Sequence, residues 1–129
     1  MFVDDQADAR ELVKELLELH GAKVTSVETA ERALEAIQEH TFHVLLSDIG
    51  MPMIDGYELI RQIRRLPPER GGRIPAVALT GFARYEDSQR ALAEGFQNQL
   101  SKPIEPKELV DLVATLSTAQ PKWQPRTVG

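Results

Sequence analysis

Five side chains in this sequence could together handle a phosphoryl group: Asp4, Asp5, Asp48, Thr80 and Lys102. Three carboxylates brought together repel one another and would force a proton onto one of them unless a cation lies between them. A hard, oxygen-seeking ion such as Mg2+ meets that need. It prefers few protein carboxylates, several waters and a phosphate oxygen, so a site of Asp4, Asp5 and Asp48 leaves room for a phosphoryl group. A carboxylate can itself be the nucleophile, giving an aspartyl phosphate, and Lys102 and the Thr80 hydroxyl would contact the remaining oxygens. Asp48 is then the natural acceptor. Taken singly, an Asp or Thr behind a strand is often only a cap on the next helix. The chemistry requires all five to meet at one edge.

The hydrophobic pattern supplies such an edge. Met1 to Val3 reads as a strand remnant leading into Asp4-Asp5, followed by a helix with Leu12, Val13, Leu16 and Leu17 in phase and Gly21 as its stop. Lys23 to Val27 is a weak, β-branched strand candidate. Thr29 is placed to cap a second helix whose apolar face is Ala30, Ala33, Leu34 and Ile37. Phe42 to Ser47, with Val44, Leu45 and Leu46 in succession, reads as a strand buried on both faces and ended by Asp48. Leu59, Ile60, Ile63 and Leu66 mark a third helix, stopped by Pro67-Pro68. Ala76 to Leu79 is a fourth strand ending at Thr80-Gly81, and a helix of low apolar content follows around Asp87 to Glu94. A poorly signalled fifth strand near Asn98 to Ser101 stops at Lys102-Pro103. Pro106 then opens a last helix carrying Leu109, Val110, Val113 and Leu116.

Five strand-helix alternations with short connections imply an α/β fold, a parallel sheet covered on both faces by helices with right-handed crossovers. Ligands on such sheets bind at the carboxyl ends of the strands. The candidate residues all fall there.

Bulk properties narrow the function further. The 129 residues suit one domain, and 42% hydrophobic with 27% charged residues is a globular rather than a disordered balance. A net charge of -5, with no Lys/Arg stripe, argues against direct nucleic-acid binding. Cysteine is absent, which suits a cytoplasmic protein, and no apolar run reaches membrane-spanning length, so membrane contact by this segment is not expected. Neither a G-x-x-x-x-G-K-[ST] loop nor a G-x-G-x-x-G turn is present, so nucleotide readings lack their phosphate cradle. His20, His40 and His43 have no metal-ligand spacing.

In chain order, Val3-Asp4-Asp5, Ser47-Asp48-Ile49-Gly50-Met51-Pro52, Asp55-Gly56, Ala78-Leu79-Thr80-Gly81 and Leu100-Ser101-Lys102-Pro103 resemble the acidic pair, phosphorylation loop, switch threonine and Lys-Pro motif of response-regulator receiver domains. The resemblance runs from about Phe2 to Leu116. It implies a flavodoxin-like doubly wound (βα)5 sandwich with strand order 2-1-3-4-5, a receiver domain over residues 1–117 and a flexible tail over 118–129. It implies that Asp5, Asp48 and the Gly50 carbonyl ligate Mg2+ directly and Asp4 through a water. Asp48 would take the phosphoryl group, Lys102 would pair with it, Thr80 would move toward it, and Lys102-Pro103 would be cis. The donor would be a histidine kinase or a histidine phosphotransfer domain. The stretches Asp48-Ile49-Gly50-Met51-Pro52, Arg65-Leu66-Pro67-Pro68-Glu69-Arg70-Gly71-Gly72 and Gly95-Phe96-Gln97 look most like receivers of hybrid sensor histidine kinases, so an intramolecular kinase core is a further expected partner.

Two departures stand out. The first strand is shorter than the family's, which would remove ladder hydrogen bonds and apolar contacts and suggests a truncated start. Gln99 stands where the family usually has an aromatic or a histidine that reports the state of the threonine. Both features support an alternative, a pseudo-receiver that acts through protein contacts without phosphorylation. A domain cut from a larger enzyme is a third reading. Gly50 offers no side chain to position a water, and Phe82 could shield the site, so hydrolysis of the phosphoryl group is expected to be unassisted. Trp123, flanked by Pro121 and Pro125, reads as part of a linker. The helix after Thr80 and the face it shares with strand five are the expected partner surface.

Overall fold

The structure, a computed structural model, describes residues 1–51, 53–81 and 85–123. Strands β1 (Phe2–Val3), β2 (Ser26–Val27), β3 (Leu45–Asp48), β4 (Ala76–Thr80) and β5 (Asn98–Ser101) alternate with helices α1 (Ala7–Leu19), α2 (Ala30–Glu39), α3 (Gly56–Arg64), α4 (Tyr85–Glu94) and α5 (Pro106–Trp123). All strands are parallel, in the order β2-β1-β3-β4-β5. This is the expected doubly wound sheet.

Side-chain alternation divides the core in two. Val3, Leu45, Ala76 and Ala78 face Ala30, Ala33 and Ile37 of α2, Leu59, Ile60 and Ile63 of α3 and Ala91 of α4. Phe2, Leu46, Val77 and Leu79 face Val13 and Leu17 of α1 and Leu109 of α5. Each fully buried Leu or Ile stabilises the fold by about 1.5–3 kcal/mol. The apolar runs are therefore strands buried on both faces, as their composition predicts.

Local chemistry sets the helix ends. Thr29 accepts from the Arg32 N–H at 3.1 Å and Asp55 from the Glu58 N–H at 2.9 Å, capping α2 and α3. Helix α1 closes at Gly21, whose φ of 91° lets the Ala22 N–H reach the Leu17 carbonyl and its own N–H the Glu18 carbonyl. Leu66 lies beyond α3, ahead of a 3-10 turn at Pro68–Arg70. Helix α5 continues past Thr118 to Trp123, so the backbone stays helical where a tail was expected to begin; residues 124–129 of that tail lie outside the described residues.

The Phe42–Ser47 and Lys23–Val27 strand expectations are corrected at one end: β3 begins at Leu45 and β2 at Ser26. Both lose their first residues on the side where β1 has no residue to pair with them. At that side the Met1 amino group donates to the Val44 carbonyl at 2.8 Å, and burial pushes its pKa down from 8.0 to about 5. In the unfolded chain this amine keeps its ordinary value, so between those pH values the unfolded state holds more protons. Its contribution to stability is thus full above pH 8 and is lost as pH falls toward 5, with a slope approaching about 1.4 kcal/mol per pH unit. The urea midpoint of the 129-residue chain is expected to drop over this window by more than that of a chain acetylated on Met1. Equal slopes for the two would contradict the assignment.

Candidate functional site

Parallel strands bring their carboxyl ends to one edge, and the register aligns them: Val3 pairs with Ser47, Asp48 with Leu79 and Thr80 with Ser101. Asp4 follows β1, Asp48 ends β3, Thr80 ends β4, and Lys102 follows β5. The Lys102 N–H donates to the Thr80 carbonyl at 2.7 Å, continuing the ladder by one bond and carrying the lysine to the edge. The Lys102-Pro103 peptide is cis.

The side chains converge. Lys102 Nζ donates to Asp48 Oδ1 at 3.0 Å and lies 3.6 Å from Asp4 Oδ2. Asp4 and Asp48 are only 1% and 7% exposed, while Asp5 is open to solvent. Asp4, Asp5 and Asp48 each offer an oxygen within 4.8 Å of the others, the one such group among the described residues. Burial holds the Asp4 pKa above the usual carboxylate value; the Gln6 N–H opposes this, the Asp48 charge adds to it, and Lys102 offsets part. For Lys102, burial disfavours the charge, but the hydrogen bond and charge of Asp48, with Asp4 behind them, outweigh it and hold the pKa above the ordinary lysine value. The lysine therefore stays protonated.

Asp4 Oδ1 accepts from the Gln6 N–H at 2.9 Å, whereas Oδ2 is buried and has no hydrogen-bond donor. A buried carboxylate oxygen with no hydrogen-bond donor, its ion-pair partner Lys102 Nζ standing off at 3.6 Å, is costly and favours a further cation or a water. Three acidic oxygens around it are the hard donor set that Mg2+ takes. The residues present fit that ion.

The loop after β3 is held by close packing. A Cβ on Gly56 would meet the Asp48 carbonyl oxygen at 2.6 Å and Ile49 Cα at 2.9 Å, so only glycine lets α3 start against the loop. The Gly56 N–H donates to the Ile49 carbonyl at 3.0 Å. Gly50 is different: space for a Cβ is open. Met53, with φ of 68° and 94% exposure, stands at the loop's outer surface.

Thr80 is buried at the edge. Gln99 lies opposite Ala78, two residues before Ser101, the partner of Thr80 on β5, and its buried Oε1 has no hydrogen-bond partner among the described residues. Pro52 and Phe82, and with Phe82 the expected shielding of the site, lie outside the described residues. Sequence reasoning missed Gln6 and Arg10: the first orients Asp4 through its main-chain N–H, and the second donates from Nη1 to the Asp4 carbonyl at 2.8 Å. An Asp two residues before a strand-to-helix N–H is an Asx-turn signal that could have found Gln6. Arg10 carries no such signal.

Comparison with known proteins agrees with this geometry. The family described as response regulator receiver domain matches residues 1–114. An uncharacterised 14.6 kDa protein from Leptolyngbya boryana is 44% identical over 94% of this chain and 91% of its own length. The sensor histidine kinase GacS of Pseudomonas protegens is 38% identical over 86% of this chain, which spans only 12% of the kinase. Among solved structures, the receiver domain of a sensor histidine kinase from Pseudomonas aeruginosa PAO1, with a magnesium ion coordinated in its active-site cleft, superposes with a TM-score of 0.81 at 28% identity, covering 91% of this chain and 94% of that one.

Proposed function

This chain belongs to the response regulator receiver domain family, and on that basis we propose that it accepts a phosphoryl group from a phosphohistidine onto Asp48. The observation that carries this reading is the Lys102 ammonium seated between Asp48 and Asp4, beside a buried Asp4 oxygen that lacks a donor. Asp4, Asp5, Asp48 and the Gly50 carbonyl would hold Mg2+, as the magnesium-bound relative supports. When bound, that ion supplies positive charge to offset the carboxylates and the phosphoryl oxygens.

An Asp48 carboxylate oxygen attacks phosphorus in line, the P–N bond to the donor histidine breaks, and its electron pair returns to the imidazole nitrogen, which takes a proton from solvent. Lys102, already on Asp48, follows the negative charge onto the transferred group. Thr80, at the adjacent strand end, moves to contact a phosphoryl oxygen and so reports its presence to α4 and β5.

The donor is a histidine kinase or a histidine phosphotransfer domain, or the kinase core of the same polypeptide where this sequence is a module of a hybrid kinase. Such donors place the chain in the cytoplasm; no helix among the described residues is long and apolar enough to cross a membrane. A phosphorylation-independent interaction module is not favoured, because the fold assembles Asp4, Asp48 and Lys102 as phosphoryl transfer requires. Labelled phosphate from an autophosphorylated histidine kinase core is expected to move to this chain. Label that stays on every kinase tried, at equal concentrations of folded protein, would overturn the proposal.

The lifetime of the phosphoryl group gives a second test. Gly50 supplies no side chain to orient water, and an Asn fits there because no atom lies within 4 Å of its Cβ position. Gly50→Asn is expected to speed loss of phosphate roughly ten-fold, a modest part of the 10²–10⁴ that positioned groups contribute. A variant that loses phosphate no faster than the parent would show that water is already oriented by other groups.

A further inference from the structure

At the amino ends of β4 and β5, on the opposite edge from Asp48, a cleft of about 490 Å³ is lined by Arg64, Gly72, Arg73, Pro75 and Gln97. Arg64 is fixed in its wall. Four of its five N–H groups donate to neutral oxygens at 2.8 to 3.1 Å, two to the Gly95 carbonyl, one to the Gly72 carbonyl and one to Gln97 Oε1. A Cβ on Gly95 would press on Arg64 Cγ at 3.0 Å, so the glycine lets the arginine lie against the main chain. Gln97 Oε1 also accepts from the Ala76 N–H at 2.7 Å, which fixes the amide and leaves both N–H groups of its Nε2 without an acceptor among the described residues. Arg73 is exposed, and neither its guanidinium nor its main-chain N–H has a partner among those residues.

The positive charge of this lining is uncompensated. Residues 61–73 hold five arginines and one glutamate in a chain of net charge -5. Arg61 pairs with Glu58 and Glu94, but neither Arg64 nor Arg73 forms an ion pair among the described residues. Burial, with no carboxylate beside it, holds the Arg64 pKa below the ordinary arginine value, although a guanidinium stays charged. Every side-chain polar group left unengaged on the lining is a donor: the fifth N–H of Arg64, the guanidinium of Arg73 and the amide N–H groups of Gln97. A cation would be repelled, and an apolar ligand would leave these donors unmatched. A carboxylate would offset only one of the two guanidinium charges, whereas a phosphate monoester offsets both and offers three oxygens to donors already in place. We propose that this cleft binds the dianionic phosphate of a phosphorylated small molecule. Its volume leaves room beside the phosphate for the organic group. The site shares no residue with the Asp48 edge and is independent of phosphoryl transfer there.

Inorganic phosphate and glycerol phosphate, titrated separately into the isotope-labelled full chain at constant ionic strength, test this. The titrations are run without Mg2+, so that the three carboxylates at the other edge repel phosphate, and at about pH 7, where a phosphate monoester carries nearly two charges. The signals followed by NMR are the side-chain N–H groups of Arg64 and Gln97 and the main-chain amide of Arg73. Both ligands are expected to shift them saturably, with dissociation constants of about 1 mM, where sodium chloride does not, and glycerol phosphate to bind at least as tightly as phosphate. Arg73→Gln, at an exposed side chain without a partner, is expected to weaken binding roughly tenfold. Gln97→Glu keeps an acceptor for the Ala76 and Arg64 N–H groups while its carboxylate takes the place of the anion, and is expected to abolish the shifts. Shifts that never saturate, or that survive both substitutions unchanged, would overturn the proposal. Saturable binding of inorganic phosphate alone would overturn the assignment to an ester.

Discussion

Asp48→Ala is expected to abolish phosphoryl acceptance while leaving the domain folded. The substitution removes the nucleophile, and the Asp4 carboxylate, 1% exposed and held by the Gln6 N–H, is not free to replace it. The main chain is unaffected, because Asp48 keeps its place opposite Leu79 and the Ile49 N–H still donates to the Leu79 carbonyl at 3.2 Å. Lys102 loses its 3.0 Å contact but retains Asp4 at 3.6 Å. Since the lysine side chain is 36% exposed, solvent screens the lost pair, and stability should change by no more than about 1 kcal/mol. Label transfer from a phosphorylated kinase core and a urea melt of the same sample check both halves. Transfer that persists in the folded variant would move the acceptor elsewhere.

Lys102→Met separates charge stabilisation from metal binding. Its ammonium is the fixed cation nearest the acceptor, and removing one preorganised group of this kind slows transfer by about 10²–10³. The effect on Mg2+ should have the opposite sign. The lysine occupies the space between Asp48 and Asp4 and neutralises part of the charge an incoming ion would see. Without it, Mg2+ should bind more tightly near pH 8, as titration calorimetry would read. The Asp4 carboxyl, already pushed up by burial, loses the lowering influence of Lys102 and rises further. The gain in Mg2+ affinity should therefore shrink as pH falls. Slower transfer with weaker Mg2+ binding at every pH would mean that the lysine only holds the carboxylates in position.

Much of this was legible in the sequence because the governing signals are local. Thr29 caps α2 as its position suggests, and the phase of Leu59, Ile60 and Ile63 gives the buried face of α3. The five site residues are legible for a topological reason: each ends or follows a strand, and parallel strands share an edge. What escaped depends on partners distant in sequence. Strand lengths on either side of β1 are set by pairing, so Lys23 and Phe42 read as strand yet have no ladder. Asn98 and Gln99 are weak strand formers, and β5 exists because β4 offers an edge in register. In the sequence the stretch Gly95-Phe96-Gln97 carries only a family likeness. Its physical role is to anchor Arg64, which donates to the Gly95 carbonyl at 2.8 and 3.0 Å, to the Gly72 carbonyl and to Gln97 Oε1, while the Ala76 N–H also donates to that oxygen. The stacking of Arg90 on Tyr57, 4.0 Å from the ring centroid, likewise joins α4 to α3 across a gap in sequence.

The central claim is that Asp48 is a Mg2+-dependent phosphoacceptor, and intact mass after incubation with a small-molecule phosphodonor tests it without a partner protein. A single phosphoryl adduct is expected, present with Mg2+, absent with a chelator, and mapped by peptide mass to the segment containing Asp48. A folded protein that takes up no phosphoryl group with Mg2+ present, or one whose adduct maps to another residue, would contradict it.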